Sequence, residues 1–272
     1  MLKKIIISEF GIIMKKEVLK VVKIGGKLIE DDAKFAEFLG DFVALKGPKI
    51  LVHGGGNLAT EITEKLGYKT QMFEGRRITD ADSIRVILMV YGGVINKNIV
   101  AKLQGLGNNA IGLSGADGLS IVSKKRPVKE VDFGFVGDVE KVNSEFINSI
   151  LKQNITPVFS AISCTEDGLL LNTNGDSVAA EIAKAMSSIY ETELYFCFEK
   201  KGVLGDAEDD DSVIGIITRD KYQKLLEEKV ISDGMLPKLH NCFQALENGV
   251  KNIFLGDFRL LKEESVYTKI SN

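Results

Sequence analysis

Short apolar runs rich in β-branched residues, several of them bounded by glycine, alternate along this chain with segments of helical periodicity. The runs fall at residues 18–24, 49–52, 110–113, 155–160, 193–198 and 252–255. That alternation is the most restrictive feature present, because parallel strands need a crossover between them and an amphipathic helix is the usual one. It predicts an α/β protein with a mostly parallel sheet. Between the first two runs, Phe35, Phe38, Leu39, Phe42 and Val43 recur at helical spacing, which predicts a crossover helix over 31–45.

Further along, Thr79 followed by Asp82 suits a helix start and opens a helical pattern through Leu103. Gly92-Gly93 falls in its middle, where it weakens or bends the helix unless a close helix contact requires it. Residues 114–142, rich in glycine and valine, predict antiparallel strands laid over one end of the sheet. No repeat, low-complexity linker or Pro/Ser-rich boundary divides the chain. The expected organisation is a leading extension over 1–16, an N-terminal lobe over 17–188 and a C-terminal lobe over 189–272.

Charge narrows the partners. Against 38 acidic residues stand 35 basic ones, with no long lysine or arginine block, so nothing here predicts binding to nucleic acid or to a membrane surface. A small-molecule partner is expected. Cys164, Cys197 and Cys242 are widely separated and lack Cys-x-x-Cys spacing, which predicts neither a disulfide framework nor a zinc site and suits a cytoplasmic protein. The first 14 residues look like a short signal peptide, but Ser8 and Glu9 interrupt the apolar stretch and no small-residue cleavage pattern follows. No apolar run approaches the roughly 20 residues that span a bilayer. Five acidic residues among positions 206–211 suggest a solvated loop rather than a metal site.

Four glycine-containing segments adjoin the apolar runs. Lys23-Ile24-Gly25-Gly26-Lys27 closes the first run, where glycines let backbone N–H groups approach a phosphate and a lysine adds a compact positive charge. An ordinary strand-to-helix turn has the same appearance. Val52-His53-Gly54-Gly55-Gly56-Asn57 places three glycines between a buried strand and a helix, a possible anion nest. His53 is better read as packing and orienting that loop than as a general base. Neither segment has the Gly-x4-Gly-Lys-Ser/Thr or the Gly-x-Gly-x-x-Gly spacing, so P-loop and Rossmann sites are excluded. In Glu74-Gly75-Arg76-Arg77-Ile78-Thr79 an arginine can grip a carboxylate through two parallel hydrogen bonds. The fourth, Asn172-Thr173-Asn174-Gly175-Asp176-Ser177, precedes a helical run and holds more polar groups than a helix cap requires.

Taken in order, Lys23-x-Gly-Gly, Val52-His-Gly-Gly-Gly, Gly75-x-Arg77-x-Thr79, Asn172-x-Asn-x-Asp176 and Asp233-Gly-Met-x-x-Lys238 resemble the amino-acid kinase superfamily, and within it the acetylglutamate kinases, from about residue 17 to 261. The resemblance implies a three-layer sandwich with a central, mostly parallel sheet of about eight strands. It implies an ATP-dependent phosphotransferase of arginine biosynthesis that phosphorylates the side-chain carboxylate of N-acetyl-L-glutamate, with Mg2+ on the nucleotide, acting as a homodimer. Lys23 and Lys238 would be catalytic, neutralising charge on the migrating phosphoryl group, with Asp176 holding both. Gly54, Gly55, Arg77 and Asn172 would bind the acyl amino acid, and Gly25, Gly26, Lys200, Gly202, Val203, Leu204, Ile231 and Ser232 the nucleotide. No protein residue is implied as a metal ligand.

The chain departs from the pattern at Glu199-Lys200-Lys201-Gly202, where many relatives carry an aspartate ahead of the glycine. Residues 5–13 do not read as the N-terminal helix associated with arginine feedback in this family. Two alternatives stay open. The same chemistry could act on N-succinylglutamate or another N-acylated acidic amino acid, for which Arg76 is the candidate extra cation. A non-catalytic nucleotide or amino-acid sensor is the other, against which the joint presence of Lys23, Asp176 and Lys238 argues.

Overall fold

The computed structural model describes residues 6–8, 11–13, 16–206, 208–228, 230, 235–262 and 265–271. Eight strands form one sheet, in the order Ile216–Ile217, Thr268–Ile270, Asn252–Gly256, Glu191–Cys197, Val18–Ile24, Lys49–His53, Thr156–Ser160 and Ala110–Leu113. Only Asn252–Gly256 and Thr268–Ile270 pair antiparallel; the other neighbours are parallel. The four strands at one end all follow residue 190, and the four at the other all precede it.

The central strands are predominantly apolar because both faces are covered. Side chains alternate, so Leu19 and Val21 enter one core with Ile50 and Val52, whereas Val22 and Ile24 enter a second with Leu51. Helices Ser144–Leu151, Gly175–Met186, Arg219–Glu227 and Leu236–Glu247 cover the first face. Asp32–Ala44, Gly56–Lys65 and the long helix from Ala81 to Gly105 cover the second, completing three layers. Asp31 caps the first of these by accepting from the Lys34 amide, one residue outside the helix. Phe35, Phe38 and Phe42 lie on its inner face with no solvent exposure, and each such burial stabilises by about 2 kcal/mol.

The long helix differs from expectation in three respects. Its cap is Asp80, which accepts from the Ser83 amide, because Thr79 is held in a bridge to Gly134. Its middle, Leu88–Ile95, is wound as a π-helix around Gly92 and Gly93. No close contact demands either glycine: a Cβ on Gly92 would meet Ile162 at an ordinary 3.6 Å, and one on Gly93 would meet nothing within 4 Å. By length and composition the 25-residue helix could also cross a bilayer, which the apolar runs did not suggest. Here Val86, Ile87, Val90, Ile95, Ile99 and Leu103 are buried in the core.

Strands Ile121–Lys125 and Val136–Val142 form the antiparallel pair expected within 114–142. Two further strands, Ile162–Cys164 and Leu170–Thr173, join them in a small closed barrel in which two of the junctions are parallel. This barrel delivers the chain from Thr173 directly into helix Gly175–Met186. In the leading segment, residues 6–8 pair antiparallel with residues 11–13.

Candidate active site

Lys23 is the penultimate residue of the Val18–Ile24 strand, on the same face as Leu19 and Val21 and therefore beneath helix Gly175–Met186. Asp176 stands in the first turn of that helix. Asn174 caps it, its side-chain oxygen accepting from the amides of Asp176 and Ser177 at 2.8 and 3.1 Å. Lys238 enters from the first turn of helix Leu236–Glu247. The Asp176 carboxylate binds both lysines, Oδ1 lying 2.7 Å from Lys23 Nζ and Oδ2 3.3 Å from Lys238 Nζ. Burial pushes the Asp176 carboxyl up, but Lys23 and then Lys238 outweigh it and hold it at about 2. Two ammoniums against one carboxylate leave a single positive charge at this point.

Glycine makes the surrounding approach possible. A Cβ on Gly175 would lie 3.3 Å from Lys23 Cε and 3.9 Å from the Gly54 nitrogen. One on Gly26 would lie 3.6 Å from both Gly55 Cα and the Gly56 nitrogen. At Gly55 the same atom would collide with Ile95 Cδ1 and sit 3.2 Å from the Tyr91 ring. The strand-end loops at Gly25-Gly26 and Gly54-Gly55 thus converge with the Gly175 turn around Lys23. Gly55 also caps helix Gly56–Lys65, whose free N-terminal amides favour an anion.

His53 takes no part as a base. It is fully buried, its Nδ1 lies 2.8 Å from the Gly54 carbonyl, and its Nε2 lies 3.1 Å from Asn96 Nδ2. A carbonyl can only accept and an amide nitrogen can only donate, so the ring is neutral with its proton on Nδ1. Burial pushes His53 down to about 4. Since its unfolded value is the ordinary 6.5, the unfolded chain gains a proton first as pH falls, and stability drops between pH 6.5 and 4. The expected loss is about 3 kcal/mol. Urea unfolding of the parent and of His53→Gln at pH 7.0 and about 4.5 measures it, and the variant should lack that part of the slope.

Arg77 is anchored to the second glycine loop, and Asn172 to the segment that follows Arg77. Arg77 rises from hairpin Gln71–Phe73/Arg76–Ile78, whose turn residues Glu74 and Gly75 both have positive φ, 47° and 72°. Its Nη2 donates to the Gly56 carbonyl at 2.9 Å and to Thr60 Oγ1 at 2.6 Å, and Nη1 donates to Thr70 Oγ1 at 3.3 Å. Asn172 Nδ2 donates to Thr79 Oγ1 at 3.0 Å, which ties the small barrel to the segment two residues beyond Arg77. Arg76 is exposed on the same hairpin.

At the C-terminal ends of the Val18–Ile24, Glu191–Cys197 and Asn252–Gly256 strands lies a cleft of about 600 Å³, bordered by Lys23, Gly25, Lys27, Phe198, Lys200 and Arg259 among others. Of the residues expected at a nucleotide, Gly25 and Lys200 face it. Gly26 sits behind, against the second glycine loop. Gly202, Val203 and Leu204 turn into the protein: Val203 is buried and its amide donates to Thr268 Oγ1 at 2.8 Å, a Cβ on Gly202 would press on Val213, and Leu204 bridges to Val213. Ile231 and Ser232, like Asp233 and Gly234, lie outside the described residues. The acidic stretch pairs with the cleft: Asp210 binds Lys200 at 2.6 Å and Asp211 binds Lys201 at 2.5 Å, while Asp206 and Asp209 accept from amides of their own loop.

Two aromatic residues also belong here, and the reading of the glycine motifs passed over them. Lys238 Nζ lies 4.9 Å from the centre of the Phe198 ring and 5.6 Å from that of Phe196. Their two-residue spacing at the end of a strand was the available signal.

Known proteins place this geometry. The Amino acid kinase family profile matches residues 19–257. An acetylglutamate kinase of Phocaeicola vulgatus is 50% identical over 240 residues, covering 88% of this chain and 93% of that protein. Among solved structures, a Streptococcus mutans protein superposes with TM-score 0.74 at 24% identity, covering 93% of this chain and 98% of its own. Carbamate kinase from Giardia lamblia bound to AMP-PNP superposes at 0.68 with 11% identity, covering 94% and 98%. Neither superposition carries more than the fold. With the profile spanning almost the whole sheet and half of all aligned residues shared with an acetylglutamate kinase, the chain belongs to the amino acid kinase family.

Proposed function

We infer that this enzyme transfers the γ-phosphoryl group of ATP to the side-chain carboxylate of N-acetyl-L-glutamate, the second step of arginine biosynthesis. The observation that carries this reading is the Lys23–Asp176–Lys238 cluster, set where two glycine loops meet. A carboxylate oxygen attacks the γ-phosphorus, the bond to the β–γ bridging oxygen breaks, and ADP leaves. The acceptor is already ionised at neutral pH, so no base is required. Phosphoryl transfer depends on positioning and on offsetting charge, and the cluster supplies one net positive charge for it.

In this reading Gly54 and Gly55 offer amides around the acceptor, Arg77 grips its α-carboxylate and Asn172 its acylated nitrogen. Gly25 and Lys200 meet the nucleotide in the cleft, Gly26 supports its phosphates from behind, and Gly202, Val203 and Leu204 meet it through their backbone. Among the described residues the carboxylates bordering the cleft are engaged by lysine or arginine, in Lys27–Glu199, Lys200–Asp210 and Arg259–Asp257, and none is assigned to magnesium. The ion then arrives with the nucleotide, held by phosphate oxygens and water. Residues 17–188 act as the acceptor lobe and 189–272 as the nucleotide lobe. Met89 and Val94, exposed on the long helix, suit it to pair with a second copy in a homodimer. Three free, buried cysteines suit the reducing cytoplasm.

The direct test is ATP turnover with N-acetylglutamate and with N-succinylglutamate. A higher kcat/KM for the acetyl compound supports the assignment, and a large preference for the succinyl compound transfers it, with exposed Arg76 as the extra cation. Arg77→Lys should raise the KM for the acyl amino acid about ten- to a hundred-fold and change kcat little, because a lysine cannot reproduce a two-pronged grip. Steady-state kinetics at saturating ATP measures this.

A further inference from the structure

The two lysines are held unequally. Lys23 is fixed in the centre of the sheet and lies 2.7 Å from Asp176, whereas Lys238 comes from the first turn of a helix and lies 3.3 Å from the same carboxylate. One carboxylate serving two ammoniums leaves the weaker-held one in need of a second restraint. Phe196 pairs directly with Lys23 in the sheet register, and two-residue alternation brings Phe198 to the same side at the end of the strand. Both rings lie beneath the Lys238 ammonium, at 5.6 and 4.9 Å, within the distance at which the face of an aromatic ring attracts a cation.

We propose that Phe198, backed by Phe196, is a positioning residue that holds the Lys238 ammonium over the phosphoryl site without removing its charge. The choice of partner has a chemical consequence. A second carboxylate beside Lys238 would cancel the net positive charge of the cluster, the quantity that phosphoryl transfer uses. An aromatic face attracts the ammonium through its quadrupole and brings no negative charge of its own. Asp176 therefore gathers the two cations, and the ring aims the second one. Phe198 is also the ring that faces the cleft, while Phe196 is buried beneath it.

This inference rests on the kinase reading, and its test separates the two. Phenylalanine at 198 is replaced by mono-, di- and trifluorinated phenylalanine, which weaken the ring face stepwise at nearly constant shape, and by leucine and tyrosine. The expected result is a stepwise fall in kcat reaching about two- to thirty-fold in Phe198→Leu, with Phe198→Tyr near the parent and the KM for ATP within roughly two-fold throughout. A flat kcat across the series overturns the proposal. So does a rise in the KM for ATP at constant kcat, which would put the ring against the nucleotide instead. A second measurement needs no turnover: acylation by a water-soluble active ester, read by mass spectrometry, should be a few-fold faster at Lys238 in Phe198→Leu than in the parent. If the parent proves inactive on acyl-glutamates, the functional reading falls and the labelling still decides the cradle; unchanged labelling overturns it.

Discussion

Lys23→Ala is expected to lower kcat by about two to four orders of magnitude while changing the KM for ATP far less. The lysine sits one residue from the end of a strand bonded on both sides, opposite Phe196 on one neighbour and Val52 on the other, so its ammonium is placed by the most rigid part of the fold. Charge on the phosphoryl oxygens and the leaving group is redistributed during transfer, and a cation already fixed there needs no reorganisation. With alanine, Asp176 and Lys238 remain as a neutral pair, and the net positive charge is lost altogether. Lys23→Arg should recover little of the rate. The room around Lys23 Cε is set by Gly175, where even a Cβ would come within 3.3 Å, and a planar guanidinium is broader than an ammonium. Single-turnover kinetics at saturating ATP isolates the chemical step. A kcat within ten-fold of the parent would remove Lys23 from the reaction.

Much of this arrangement could be read before any coordinates, for identifiable reasons. Strands such as Val18–Ile24 and Lys49–His53 are covered on both faces, so apolar residues dominate them and glycine follows their ends. The same glycines betray the site, because a loop that must bring backbone amides close to an anion cannot carry side chains there. Lys23 and Asp176 stood out for their place beside such glycines. What stayed hidden depended on tertiary closure. Strands Ile162–Cys164 and Leu170–Thr173 are three and four residues long, too short to show a period, and exist because a barrel closes through them. The π-helical middle of the long helix had only Gly92-Gly93 to announce it. Gly202, Val203 and Leu204 follow Lys200 and Lys201 of the cleft, and their packing, a buried valine beside a glycine that Val213 and Thr268 crowd, depends on contacts that no motif displays. Phe198 was passed over because an aromatic in a strand is ordinarily core, and only the position of Lys238 distinguishes it.

Asp176→Asn tests the same cluster from its anionic side, with consequences for both rate and stability. An asparagine keeps the shape, but its amide is uncharged and sets an NH2 donor, in place of one accepting oxygen, against one of the two lysines. Two ammoniums would then face each other without a counter-ion, and kcat should fall by at least about a hundred-fold as both leave their positions. Stripping one partner from a buried ion pair costs about 3–5 kcal/mol; with a fifth of the Asp176 side chain open to water, the lower end is expected. The pH dependence supplies the control. Asp176 is held at about 2 against an ordinary 3.8, so the stabilisation it gives is complete above roughly pH 4 and is lost as pH falls through 2. Below that range the parent carboxyl is protonated and resembles the amide. The stability difference between parent and variant, measured by urea denaturation, should therefore be largest near neutral pH and shrink by about 2 kcal/mol toward pH 2. A difference that stays constant across this range would mean that the carboxylate is not what holds the two lysines together.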